Sequence, residues 1–298
     1  MTRKGMTLLE LLVVIATIGV LMGLGLAAIQ RARMSADRLK CCNQMKQIGI
    51  ALHGYHATHG RLPPRLAVKY PSHLPEGALG WMALILPEMG HDSVYAQAER
   101  ACRVEPNPLR TPPHDGARLV IPDYVCPSDG RYQPMTDVWG RTSGFASYLG
   151  VAGVAQVGNW QIWKGVFGDA LGCRLSEIED GSSQTIMVGE RPVPDSLQAG
   201  WWYPVFVGSA TGVVGPNNFM LVGSSRIVED PECAGAPAPY RAGQLNNACD
   251  RYHFWSLHSG GANFVFGDGS VRFLPYDSSD AVLPALATRR GGEVVEAP

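Results

Sequence analysis

Nineteen consecutive residues without a charge, Leu11 to Ile29 (LLVVIATIGVLMGLGLAAI), constrain this chain more than any other feature. At about 1.5 Å per residue, a helix of that length spans about 28 Å, close to the roughly 30 Å hydrocarbon core of a bilayer. A secretory signal peptide has a shorter apolar region and a small-x-small cleavage site after it. The run therefore predicts a retained membrane helix. Arg3 and Lys4 precede it, which places the N-terminus in the cytoplasm and the rest of the chain on the far side of the inner membrane. Arg31, Arg33, Arg38 and Lys40 follow, offset only by Asp37, and blur that charge asymmetry. The net charge of −1 excludes a broad electrostatic grip on nucleic acid. Charged residues are 17% of the chain, against roughly 25% in a typical soluble domain. With 35 Gly and 22 Pro, the rest reads as turn-rich and β-leaning, and 46% hydrophobic residues suffice to bury a core.

Glu10 stands one residue before the charge-free run, inside an apolar block that starts at Met6. A carboxylate in lipid is costly and normally has a partner. The neighbouring sequence offers none, except an α-amino group created by cutting the leader after Gly5. Met6 would then be the first residue and Glu10 the fifth, and the amine of one subunit would neutralise the Glu10 of another.

The segment Lys4-Gly5-Met6-Thr7-Leu8-Leu9-Glu10-Leu11 resembles the prepilin-peptidase site of type IV pilins and type II secretion pseudopilins. The resemblance implies cleavage between Gly5 and Met6, N-methylation of Met6, and use of Glu10 in assembly. It also implies prepilin peptidase and other pseudopilin subunits as partners. Met6 stands where that family usually has Phe. The plainer reading is a signal anchor with a chance glutamate. Gly19 and Gly23, with Gly25 close by, are spaced either for close helix packing in lipid or simply as tolerated glycines.

Beyond the run, Leu39, Cys42, Met45, Ile48, Leu52 and Tyr55 recur every three or four residues, while Lys40, Asn43, Lys46 and Gln47 lie off that stripe. Gly60, followed by Pro63 and Pro64, ends the pattern. One long helix is expected from near Met6 to His59. The domain reading is a leader (1–5), a transmembrane helix (6–30), an amphipathic stalk (31–60), a β-rich head (61–280) and a tail (281–298). The fold class is α+β, a long N-terminal helix packed on a loop-rich head.

Within the head, Leu79–Pro87 reads as one apolar element and 104–118 as a loop. Ser176 and Glu179 are spaced for a capping box on a short turn. Thr185–Val188, Trp201–Val207 and Tyr252–His258 read as strands, and 208–248 as mostly loop. Asn263–Gly267 and Ser270–Leu274 flank Asp268-Gly269, the signature of a two-residue hairpin. In that register Phe264 faces Phe273 and Phe266 faces Val271.

His258, nine intervening residues, and Asp268-Gly269 resemble the H-x9-DG domain of prepilin-type proteins, also called domain of unknown function 1559 and sometimes labelled a solute-binding type. Further matches to that family are Asn43-Gln44-Met45-Lys46-Gln47-Ile48-Gly49, Leu52-His53-Gly54-Tyr55-His56, Gly60-Arg61-Leu62-Pro63-Pro64, Cys126-Pro127-Ser128-Asp129, and Ile178-Glu179-Asp180-Gly181-Ser182-Ser183 running to Gly189-Glu190. The resemblance implies architecture rather than chemistry. His258 and Asp268 are either a linked binding pair or separate structural residues, with Asp268 and Gly269 making a turn and His258 tying down a strand end.

Seven cysteines contain no C-x-x-C, and no G-x-S-x-G, H-E-x-x-H or P-loop is present. In an extracytoplasmic head disulfides form. Cys233 with Cys249 closes a loop of about 15 residues, contributing about 3 kcal/mol through chain entropy. Cys41 or Cys42 with Cys126 would tie stalk to head. His53, His56 and His59 drift around their helix without a completing ligand, so no metal and no cofactor is expected. Trp160, Trp163, Trp201 and Trp202 would stack on sugars if exposed. The expected function is that of a structural and assembly protein of a secretion or pilus-like system, not an enzyme. The alternative is an anchored extracytoplasmic module binding a polysaccharide or exported protein, with the prepilin site used only for sorting. A hydrolase built on His258 and Asp268 lacks a nucleophile.

Overall fold

In a computed structural model, the chain is described at residues 7–64, 79–105, 112–136, 140, 142–154, 164–168, 171–195, 197, 200–203, 219–222, 233, 239–278 and 280–293. The apolar run and the stalk form one unbroken helix, α1 (Leu8–His59), of 52 residues, or about 78 Å at the usual rise. Nothing in the sequence interrupts it until Gly60, which takes the left-handed conformation (φ 70°) and donates its N–H to His56 O at 2.8 Å. The first half is long and apolar enough to cross a membrane. Leu11, Leu12, Val13, Val14 and Ile15 are all exposed, so the helix is apolar on every side there. A Cβ at Gly19, Gly23 or Gly25 would meet nothing within 4 Å.

The second half of α1 lies on the head. Its buried stripe is Cys41, Met45, Ile48 and Leu52. Met45, Ile48 and Leu52 face the head as the spacing predicts, but Cys41, not Cys42, faces inward and Leu39 is exposed, because the buried face steps back four residues from Met45 rather than three.

Two further helices follow, α2 (Trp81–Leu84) and α3 (Asp92–Val104). The reading of 61–280 as a β-rich, loop-rich head missed α3. Its buried face is the small set Ala98, Ala101 and Cys102, which gives a weak periodic signal in a polar segment.

A two-stranded ribbon of β1 (Met135–Thr136) and β2 (Thr142–Ser143) precedes the main sheet. The sheet is built from β3 (Tyr148–Val154), β4 (Ile186–Glu190), β5 (Phe219–Val222), β6 (Gly261–Phe266) and β7 (Val271–Pro275), in the order β5-β3-β4-β6-β7. All neighbours are antiparallel except β3 and β5. Alternation, broken in β4 by a register shift between Ile186 and Val188, splits the strand residues between two apolar layers. Tyr148, Val188 and Val265 join the layer under α1, while Leu149, Ile186, Phe264 and Phe266 join a second layer on the opposite face. That second layer is closed by α4 (Val282–Leu286), with Leu283, Leu286 and Ala287 buried. Residues from 281 to Thr288, read as tail, are thus part of the head.

Several expectations are corrected. The β6–β7 hairpin has a three-residue loop, not two. Phe266 O accepts from Gly269 N–H, Ser270 O accepts from Phe266 N–H, and Gly269 sits at φ 76°. The register moves by one: Val265 pairs with Val271, Phe264 with Arg272 and Asn263 with Phe273. Tyr252–His258 is no strand, since a 3-10 turn over Ala248–Tyr252 leads into irregular chain. Of Trp201–Val207, Trp201 makes a single bridge to Phe145, and 204–207 lie outside the described residues. β5 falls within the segment read as loop. The short turn near Ser176 begins two residues earlier, at Leu175–Glu177, where Glu177 Oε2 accepts from Arg174 N–H at 3.1 Å. In 104–118, Val104 ends α3 and Asp115–Arg118 forms a 3-10 turn.

Candidate functional site

Among the described residues, two places bring functional side chains together. The first is the start of α1. Gly5 and Met6 lie outside the described residues. Thr7 is the N-cap, and Thr7-x-x-Glu10 is a capping box. Thr7 N–H donates to Glu10 Oε2 at 2.8 Å, the Thr7 hydroxyl donates to the same oxygen at 2.9 Å, and Glu10 N–H donates to Thr7 Oγ1 at 3.3 Å. Glu10 therefore has a local partner that charge reasoning overlooked, and the Thr-x-x-Glu spacing was its signal. Thr7 supplies hydrogen bonds but no positive charge.

The second place is the joint between α1 and the head. Here the Asn43–Gly49 segment meets the sheet. Gln44 donates from Nε2 to Pro122 O (2.9 Å) and accepts at Oε1 from the Tyr148 hydroxyl (2.7 Å). Lys46, read as lying off the stripe, donates from Nζ to Gly269 O in the hairpin turn at 2.7 Å. Gly49 is the point of closest approach: a Cβ there would sit 3.0 Å from Val265 Cγ1 and 3.5 Å from Gly269 O. The Arg38 guanidinium lies 3.7 Å over the Phe273 ring.

Above these contacts, four buried side chains converge from four stretches of chain: Cys41 on α1, Cys126 in the Cys-Pro-Ser-Asp turn, Glu190 at the end of β4, and His258 ahead of β6. Their ligand-type atoms all lie within 4.8 Å of one another. Cys41 and Cys126 are joined as a disulfide. His258 Nε2 is 3.5 Å from Cys126 Sγ and 3.6 Å from Glu190 Oε1. Asn263 holds the carboxyl at both oxygens, donating N–H to Oε2 (2.7 Å) and Nδ2 to Oε1 (3.2 Å). Burial pushes Glu190 up to about 7 and pushes His258 down, so both groups are driven toward their uncharged forms.

His258 and Asp268 are not brought together. Asp268 Oδ1 accepts from Ser270 N–H at 2.8 Å within the turn, and Oδ2 lies 3.7 Å from Arg272 Nη2. The partners of His258 are Cys126 and Glu190 instead. Convergence of residues at 41, 126, 190 and 258 leaves no local spacing for a motif reading, although Cys126, Glu190 and His258 each sit in a segment that the family resemblance singled out. Cys233 and Cys249 form a second disulfide, and Cys42 and Cys102 are outside any disulfide. Of the His53, His56 and His59 set, His56 Nε2 accepts from Leu175 N–H (3.3 Å), His59 stacks on Tyr55, and His53 packs beside Gly269. Trp201 and Trp202 are buried, and Trp202 Nε1 donates to Leu119 O, so neither presents a face for sugar stacking. Trp160 and Trp163 lie outside the described residues.

The model of a family described as "Protein of unknown function (DUF1559)" matches residues 30–281, nearly everything beyond the apolar run, and the chain belongs to that family. No curated protein matches it, and no solved structure does.

Proposed function

We propose that this member of the family is a prepilin-like structural and assembly subunit of a type II secretion or type IV pilus-like system, and not an enzyme. Prepilin peptidase cuts between Gly5 and Met6 and Met6 is then N-methylated. The helix stays in the inner membrane as a single pass, N-terminus in the cytoplasm and head in the periplasm. In the assembly, Glu10 pairs with the new amine of a neighbouring subunit.

The observation that carries this reading is the first half of α1. Its apolar residues are exposed on every side, and among the described residues the carboxylate at its start has the uncharged Thr7 as its hydrogen-bond partner. Such a surface needs lipid or other helices around it, and such a carboxylate needs a cation.

Intact-mass and N-terminal peptide analysis of membrane-extracted protein tests it. The expected chain begins at N-methylated Met6. A chain beginning at Met1 or Thr2 overturns the reading and leaves an anchored extracytoplasmic binding module in its place. Glu10→Gln is expected to be cut and to remain in the membrane, yet to fall out of cross-linked assemblies formed with the unaltered subunit. Normal co-assembly of that variant would remove Glu10 from the mechanism.

A further inference from the structure

The joint between stalk and head presents a donor set as well as a crosslink. Two sulfurs, an imidazole nitrogen and a carboxyl oxygen, each on a buried residue, lie within one coordination sphere of each other. In tetrahedral zinc sites, bonds run about 2.3 Å to sulfur and about 2.0–2.2 Å to nitrogen and oxygen, which places nitrogen about 3.6 Å from sulfur and about 3.4 Å from oxygen. The distances from His258 Nε2 to Cys126 Sγ and to Glu190 Oε1 are 3.5 Å and 3.6 Å. An imidazole and a carboxyl buried side by side, next to sulfur and far from bulk water, make an expensive polar pocket unless bonded or coordinated.

The surroundings fit such a role. Asn263 orients Glu190 at both oxygens, as outer-shell donors do around ligating carboxylates. The His258 backbone is held by the Ser256 hydroxyl at 3.1 Å. Two thiolates, a carboxylate and a divalent ion leave one negative charge, and the charge of Arg38 reaches both Glu190 and His258. Each ligand comes from a different element, so none can leave without moving the stalk, the sheet or a turn.

We propose that Cys41, Cys126, Glu190 and His258 form a site for a zinc-class divalent cation in the dithiol form of the chain. The newly made protein carries two thiols. The ion replaces their two protons, forming two metal–sulfur bonds and releasing two protons, with no change of oxidation state. The disulfide is the alternative closure of the same two sulfurs: an added disulfide oxidant such as oxidised glutathione takes two electrons and two protons from the dithiol and leaves as two thiols, and this is the oxidation used in the test. Once they are bonded to each other they carry no thiolate charge, and the ion is not held.

The test uses the full-length chain in detergent, kept anaerobic with a phosphine reductant and loaded with Zn²⁺ or Co²⁺. Metal content by mass spectrometry is expected at about one ion per chain in the reduced protein, falling to background after oxidation. Co²⁺ is expected to show a thiolate-to-metal charge-transfer band and the intense visible bands of tetrahedral geometry. Cys126→Ser and His258→Ala are expected to abolish both signals. Asn263→Ala is expected to weaken affinity about ten- to a hundredfold. Cys233→Ser and Cys42→Ser are expected to keep full loading, which separates this site from the other thiols freed by the reductant. Absence of metal in the reduced unaltered chain overturns the proposal regardless of how any variant folds. So does loading without the sulfur band, or loading that survives in Cys126→Ser.

Discussion

His114 shows how burial and hydrogen bonding together set a pH limit on one residue. Its Nε2 lies 2.7 Å from Glu105 O, an acceptor, so that nitrogen carries the proton. Nδ1 then accepts from the Tyr203 hydroxyl at 2.8 Å. The neutral ring is fully satisfied, and protonating it would turn Nδ1 against the hydroxyl hydrogen. Burial lowers its pKa below the ordinary 6.5. Below that value the unfolded chain binds more protons than the folded one, so stability is present above about 6.5 and lost as the pH falls through it. The urea midpoint is expected to drop between pH 7.5 and 5.5, and His114→Gln is expected to flatten that drop. At the same scale, Gly189 admits no side chain: a Cβ there would sit 2.5 Å from Phe264 and 2.7 Å from Phe254. Gly189→Ala is expected to lower stability by about 1–3 kcal/mol in urea titration, as overpacked cores do. Neither effect was legible in the sequence. His114 lies in a Pro- and charge-rich stretch that read as loop, and the aromatic rings that crowd Gly189 arrive from residues more than sixty positions away.

At the scale of elements, legibility followed locality. The long helix and its end were readable because every cause is within a few residues: an apolar run, a periodic stripe, then Gly60. The hairpin was readable in place but not in register. Gly267-Asp268-Gly269 permits either a two- or a three-residue loop, and the choice is made by α1. Only the three-residue loop puts Val271 beside Val265 and Phe273 beside Asn263, on the face that meets Gly49 and Arg38. Arg272 is thereby turned to the other face, where its guanidinium lies 4.4 Å from the Phe266 ring centre. Gly269 is the residue this loop depends on, because its positive φ costs a side chain about 1–2 kcal/mol. Gly269→Ala is expected to destabilise by that amount, and also to weaken the Lys46 contact to its carbonyl. A double-mutant cycle with Lys46→Met should show the two sites coupled. The buried cluster was illegible as a unit for the same reason as the register: helix, turn, strand end and loop meet only after folding.

At the scale of the whole molecule, one long helix has its first half exposed among the described residues and its second half fastened to a head by hydrogen bonds, close packing and a covalent bond. That bond joins residues 85 positions apart, so the second half of α1 beyond residue 41, together with α2 and α3, lies inside a closed ring. A tension applied between the membrane end and the far end of the head passes from Cys41 directly to Cys126. The residues between them carry none of it and cannot be drawn out. Pulled from its two ends in a force spectrometer, the disulfide-intact chain should yield a contour length shorter by about 290 Å than a Cys41→Ser, Cys126→Ser chain that keeps the Cys233–Cys249 bond, at up to about 3.5 Å per residue withheld. Equal lengths in the two chains would mean that the crosslink is not in the load path. A subunit built this way would behave under traction as a tether with a shock-proof hub. Whatever strain the membrane segment transmits would meet a covalent stop at Cys126 before the helix surface resting on the head could be drawn away.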